Sequence, residues 1–116
     1  MSNIIADKND QIRKTLVLDL AKRSKTPHKL FLSENVHFLA QNNLPAFTAL
    51  LRKLATHSDF QEENDPWNEH DFGKIELNGK DYFFKFDYYD QSLENWADPK
   101  ENDTVHVLTL MEASEY

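Results

Sequence analysis

Residues 64–90 read NDPWNEHDFGKIELNGKDYFFKFDYYD, and the second half of this stretch decides the fold. Asn78-Gly79 stands between two alternating runs, Lys74–Leu77 and Asp81–Tyr89. Asn and Gly both accept the positive φ that a two-residue hairpin turn demands, so the pair predicts a β-hairpin. Successive side chains of a strand point to opposite faces. Tyr82, Phe84, Phe86 and Tyr88 therefore share one face, the core face by composition. Phe83, Lys85, Asp87 and Tyr89 share the other, which begins apolar and turns polar.

Beyond the hairpin, Gln91 to Asp103 is a polar loop that holds Trp96 and Asp98-Pro99. Val105 to Glu112, VHVLTLME, is apolar at nearly every residue. That is the pattern of a strand buried on both faces, so it is expected at the centre of the sheet. Its His106 points with Leu108 and Leu110. Before the hairpin, Asp59 to Phe72 is a long connection with sparse apolar residues, a length often tied to function. Residues 44–57 predict a helix, because Phe47, Leu50, Leu51 and Leu54 fall at i, i+3, i+4, i+7. Asn42 or Asn43 precedes it, and Pro45 fits its first turn, where a missing N–H is harmless. Arg52, Lys53 and His57 fall on or near its outer side.

Lys29–Ser33, KLFLS, predicts a short strand, while Glu34–Ala40 shows neither period cleanly and stays open. His37, between apolar neighbours, is expected to be packed. Residues 9–24 predict the first helix, with Asn9 or Asp10 at its start and an apolar face of Ile12, Leu16, Val17 and Leu20. Lys22 and Arg23 suit the dipole of its last turn, and Pro27 ends it. Arg13, Lys14, Lys22, Arg23 and Lys25 are expected on a solvated face. The order helix, strand, helix, hairpin, strand gives an α+β class. The expectation is a single domain over residues 1–116, with two helices packed on a small, mostly antiparallel sheet that ends in a C-terminal hairpin and strand.

Composition removes several function classes. With no cysteine there is no disulfide, thiol nucleophile or thiolate zinc site. Two glycines, Gly73 and Gly79, leave no Gly-rich phosphate loop. No apolar run approaches the ~18 residues of a membrane span, and MSNIIADKND lacks the signal-peptide pattern. A cytoplasmic setting without membrane contact is expected. The net charge of −7 is unevenly placed. Up to Ser58 there are nine Lys/Arg against four Asp/Glu; over 59–103 there are fourteen Asp/Glu against four Lys. An acidic half of this kind is either a solvated face or a surface that meets a basic protein partner, and it disfavours direct binding of nucleic acid.

Chemistry concentrates between Asp65 and Asp98. Glu62, Glu63, Asp65, Trp67, Glu69, Asp71, Glu94 and Asp98 form the candidate binding set; Trp67 and Trp96, both in loops, are binding anchors or core caps. His70 and Asp87 are the candidates for acid–base catalysis. No cofactor is expected; the alternative is a divalent metal on Asp65, His70 and Asp71. On a strand, Glu69, His70 and Asp71 would alternate between faces, so only a turn could make them converge. The competing account is structural: turn-forming bonds before Pro66, charge partners for His70 and Lys85, and Asp87 or Asp90 as partners of tyrosine hydroxyls.

Asn64-Asp65-Pro66, Glu69-His70-Asp71-Phe72-Gly73, Phe84-Lys85-Phe86-Asp87-Tyr88-Tyr89-Asp90, Ala97-Asp98-Pro99, Val107-Leu108-Thr109-Leu110-Met111 and Glu115-Tyr116 together resemble an uncharacterised bacterial domain-of-unknown-function family. Its motifs are NDPxxEHDFG, WKIDYYD, ADP, VLTIM and a closing EY. Phe84 stands where that family usually has Trp, and residues 91–96, QSLENW, lack its Ser-rich approach to the Asp-Pro loop. The resemblance implies no activity. It does imply frequent occurrence on plasmids, phages and other mobile elements. Joined to the acidic half, it gives the leading expectation: an interaction protein that occupies the basic nucleic-acid-binding site of an effector, as an inhibitor of a host defence nuclease of the CRISPR or restriction kind. The alternative is a metal-dependent hydrolase or nuclease with a carboxylate/His site.

Overall fold

In the computed structural model, which describes residues 3–16, 25–63 and 65–116, the chain runs α1 (Ile4–Thr15), β1 (His28–Leu32), α2 (Glu34–Asn42), α3 (Leu44–Thr56), β2 (Phe72–Leu77), β3 (Lys80–Tyr89), β4 (Val105–Glu112) and a closing 3-10 turn (Ala113–Glu115). Asn78 and Gly79 adopt φ of 54° and 81°, the left-handed pair that closes a two-residue hairpin. Leu77 pairs with Lys80 and Phe72 with Lys85. β3 runs antiparallel to β4 and β1 parallel to it, giving the order β1-β4-β3-β2. β4 is thus central, as its apolar run requires, and the sheet is mostly antiparallel.

The registers place Ile75, Leu77, Tyr82, Phe84, Phe86, Tyr88, His106, Leu108 and Leu110 on one face, where they are buried. Ile5, Ile12, Val36, Leu50 and Leu54 from the helices complete that core. α3 keeps its expected signals: the Asn43 side chain accepts from the Ala46 N–H at 3.2 Å, and Pro45 sits in the first turn.

The helical layer holds three helices among the described residues, not two. α2 is the ambiguous Glu34–Ala40 stretch. It buries only Val36, so its sequence shows little apolar period. What fixes it is capping: Ser33 Oγ accepts from the Val36 N–H at 3.3 Å and donates to the Glu115 carboxylate at 2.6 Å. That carboxylate also accepts from the Asn35 N–H at 3.0 Å. His37 is exposed rather than packed, because it lies off the stripe that carries Val36.

α1 differs most from expectation. It begins at Ile4, where Asn3 Oδ1 accepts from the N–H groups of Ile5 and Ala6 at 2.9 and 3.3 Å. Asn9 and Asp10 are therefore interior residues. The buried residues are Ile5, Ala6, Asn9, Ile12 and Arg13, two of the five polar, and an apolar period finds only the later part. Arg13, expected in solvent, is 1% exposed. Its Nη1 donates to the carbonyls of Leu54 and His57 at 2.8 and 3.0 Å, oxygens that the end of α3 leaves without helical partners. Its guanidinium also lies over Phe60 and Phe84, 5.2 and 5.4 Å from the ring centroids. Residues 17–24, with Val17, Leu20, Lys22 and Arg23, lie outside the described residues, as does Asn64.

His57 also turns inward, edge-on to Phe60 at 4.8 Å and to Phe84 at 5.3 Å. These rings explain Gly73. A Cβ there would lie inside contact distance of the Phe84 ring and 2.8 Å from His57 Nε2. Phe84 is wholly buried and has nowhere to move. Gly73→Ala should therefore destabilise the fold by roughly 1–3 kcal/mol through overpacking, read as an earlier midpoint in urea unfolding with an unchanged slope.

Candidate functional site

The acidic loops collect at one end of the sheet, where β3 ends, β4 begins and the chain enters β2. The first half of α1 fastens both of them. Asn3 Nδ2 donates to the Trp67 carbonyl at 3.2 Å. Lys8 Nζ donates to the carbonyls of Pro99 and Lys100 at 3.4 and 3.2 Å. Asn9, wholly buried, lies between these contacts. Its Nδ2 donates to the Glu69 carbonyl at 3.1 Å and to the Tyr88 hydroxyl at 3.0 Å. Its Oδ1 therefore faces His106 and accepts from Nδ1–H at 2.7 Å. Burial pushes the His106 pKa down to about 4, the Pro99 carbonyl near Nε2 pulling the other way. Burial raises the Tyr88 pKa. Both groups stay neutral at pH 7.

The loop from Asp65 to Asp71 is built on one buried carboxylate. Asp65, 5% exposed, accepts from the N–H groups of Glu69 and His70 at 2.8 and 3.0 Å. Asn68 and His70 take φ of 54° and 57°, conformations that non-glycine residues adopt only when the surroundings hold them. Trp67, at the tip, is 77% exposed. Asp71 sits within reach of Asp65 and Glu69, and burial followed by these like charges pushes its pKa up to about 6. Glu69 is raised too, by burial first, then Asp65.

The second loop is built on Asp90. Its carboxylate accepts from Ser92 Oγ at 2.6 Å, the Glu94 N–H at 3.2 Å and Asn95 Nδ2 at 3.1 Å. These bonds hold its pKa down to about 2. Trp96, 70% exposed, pairs with Tyr89 through an isolated bridge. Asp98 closes the next turn, accepting from the Lys100 N–H at 2.9 Å.

A cavity of about 530 Å³ opens between α1, the end of α3 and the first loop, lined in part by Asp10, Arg13, His57, Ser58, Phe60 and His70. His70 Nδ1–H donates to the Asp10 carboxylate, 2.8 and 2.9 Å from its two oxygens. Asp10 also pairs with Arg13 at 2.5 Å. The His70 ring stacks flat on Phe60 with centroids 3.9 Å apart. Because Nδ1 carries the proton toward a carboxylate, Nε2 of the neutral ring is the side with the lone pair.

Glu62, Glu63, Trp67, Glu94 and Asp98 are exposed, as a binding surface requires. Asp65 is buried and shapes the loop instead, while Glu69 and Asp71 are half-buried. His70 and Asp87 are not brought together. Asp87 lies on the sheet face away from the helices, paired with Lys85 at 3.0 Å. Asp65, His70 and Asp71 share a loop, but Asp65 is engaged by backbone N–H groups and His70 by Asp10. Among the described residues no group of three or more His, Asp or Glu side chains converges to hold a metal ion. Sequence reasoning missed Asp10 and Phe60, the partners of His70. Asp10 and Arg13 sit at i, i+3 on α1, and that spacing was the available signal.

Residues 32–115 match the family described as Protein of unknown function (DUF3768), and the chain belongs to it. The match includes both acidic loops and leaves α1 outside it. None of the curated proteins and none of the solved structures matches the chain.

Asp71 binds its proton up to about pH 6 when folded and to about 3.8 when unfolded. Its ionised form therefore costs stability above pH 6, and the cost disappears as pH falls through 6 toward 3.8. Asp71→Asn keeps the shape and removes the charge. It should raise stability by about 1–2 kcal/mol at pH 7.5, and thermal melts should show the gain vanishing near pH 4.

Proposed function

We propose that this protein is an interaction module whose acidic end occupies a basic, nucleic-acid-binding surface of another protein in a cytoplasmic setting. One observation carries it. Two tryptophans, 77% and 70% exposed, stand on two acidic loops that buried or multiply bonded carboxylates lock in place. An exposed tryptophan on a mobile loop loses much of its binding free energy to ordering; on a rigid mount it does not. Glu62, Glu63, Glu94 and Asp98, exposed on the segments that carry the two tryptophans, supply the sign that a Lys/Arg-lined groove attracts. The partner class that fits is a nuclease of the CRISPR or restriction kind, held off its DNA by competition for that groove.

A panel of such nucleases, each assayed for DNA binding with and without equimolar protein, tests this. At least one should lose DNA binding, and the inhibition should weaken steeply between 50 and about 300 mM salt. Glu62→Lys, Glu94→Lys and Asp98→Lys together should abolish it, and Trp67→Ala should weaken it tenfold or more. Inhibition indifferent to salt and to the triple reversal would sink the proposal.

The Asp10–His70 pair favours a second function, hydrolysis with His70 Nε2 accepting the proton of an attacking water in the cavity beside Phe60. It stands on that oriented imidazole alone. Ester and phosphodiester probes should then turn over with the wild type, and His70→Gln should lower the rate by at least a hundredfold at unchanged melting temperature. Equal rates in the two proteins would remove it.

A further inference from the structure

β2 is an edge strand, and its free side is built to pair. In a two-residue hairpin the residues flanking the turn exchange both hydrogen bonds, and the exchange recurs at every second pair. From Leu77 opposite Lys80, the bonded pairs are therefore Leu77, Ile75 and Gly73 with their partners on β3. The Phe86 N–H to Asp71 carbonyl bond, 2.8 Å, continues the same alternation. The N–H and C=O groups of Phe72, Lys74 and Glu76 consequently point away from β3, toward the open edge.

Beside that edge lies a groove of about 830 Å³, lined by Asp59, Gln61 and Glu63 from the loop and by Phe72, Lys74 and Tyr116, among others. The two walls differ in chemistry. Asp59 and Glu63 set two carboxylates against the one ammonium of Lys74. On the other side Phe72, Phe83 and Tyr116 form a triangle of rings with centroids 5.1, 5.7 and 5.4 Å apart. Tyr116 remains 74% exposed.

We infer that β2 takes up an extended segment of a basic protein partner as a fifth strand, with alternate side chains on the aromatic triangle and against Asp59 and Glu63. Main-chain bonds to Phe72, Lys74 and Glu76 supply the affinity, and the two walls supply the selection for alternating apolar and cationic residues. The inference shares with the proposed function the partner's positive charge and Glu63, and otherwise uses a different part of the surface, the β2 edge and its aromatic triangle.

The test uses the full chain, labelled with ¹⁵N, and a synthetic octapeptide of alternating lysine and valine carrying fluorescein, with an alternating glutamate and valine peptide as control. The basic peptide should bind by fluorescence anisotropy at sub-millimolar concentration and the acidic one should not. Bound peptide should slow hydrogen exchange at the Lys74 and Glu76 amides at least tenfold, leaving the Ile75 and Leu77 amides, already bonded to β3, unchanged. Lys74→Pro deletes an outward N–H without touching the hairpin ladder and should weaken binding tenfold or more. If that variant disturbs the fold, Asp59→Lys with Glu63→Lys should produce the same loss. The triple reversal of Glu62, Glu94 and Asp98 should leave peptide binding within threefold of wild type, which separates this edge from the acidic end. Binding without amide protection, or no binding at 1 mM peptide, would overturn the inference.

Discussion

The primary amide of Asn9 is the point at which this molecule is held together. It is wholly buried and satisfies three groups at once: the Glu69 carbonyl, the Tyr88 hydroxyl and the His106 imidazole. Those three come from the first acidic loop, the hairpin and the central strand. A buried polar group without a partner costs about 1–3 kcal/mol, so each of the four constrains the positions of the others. Arg13, one turn further along α1, does the same for the end of α3. α1 is thus located by directional bonds at defined carbonyls, where an apolar stripe alone would let it slide or rotate.

This arrangement explains what the sequence could reveal. The hairpin was legible because Asn78-Gly79 and the alternating aromatics of β3 are local signals. β4 was legible because burial on both faces makes it apolar at nearly every residue. α3 was legible from Leu50 and Leu54 at helical spacing and from Asn43 and Pro45 at its start. α1 was legible only in part, since Asn9 and Arg13 occupy core positions and their partners lie 41 to 97 residues away. α2 was hidden because its cap depends on Glu115, 82 residues beyond Ser33. In the candidate site, the exposed acids and Trp67 could be named from composition. The inward turn of Asp65 and the capture of His70 by Asp10 could not, because both depend on left-handed backbone at Asn68 and His70 that no residue type there demands.

The charges of the acidic half serve two purposes that the sequence does not distinguish. Asp65 and Asp90 are structural, each accepting several N–H or O–H donors and fixing a loop. Glu62, Glu63 and Glu94 make no contact of that kind among the described residues and project into solvent. Asp71 belongs to neither group. It is an ionisable side chain retained where burial and two like charges oppose it, the kind of locally unfavourable placement that concentrates at functional positions.

The span between Asn9 and His106 has a consequence for synthesis. At about 5–20 residues per second, the 97 residues that separate these partners take roughly 5–20 s to follow Asn9 out of the peptidyl-transferase centre. Arg13 can meet the carbonyls of Leu54 and His57, 41 and 44 residues on, well before that, but throughout the interval Asn9 lacks the imidazole it will hold. The hairpin and α3, whose contacts are local, can form on the ribosome; α1 reaches its full set of bonds only once β4 is made. Translation thus leaves a core polar side chain of α1 waiting for its partner, and a nascent chain stalled before His106 would keep that side chain unsatisfied.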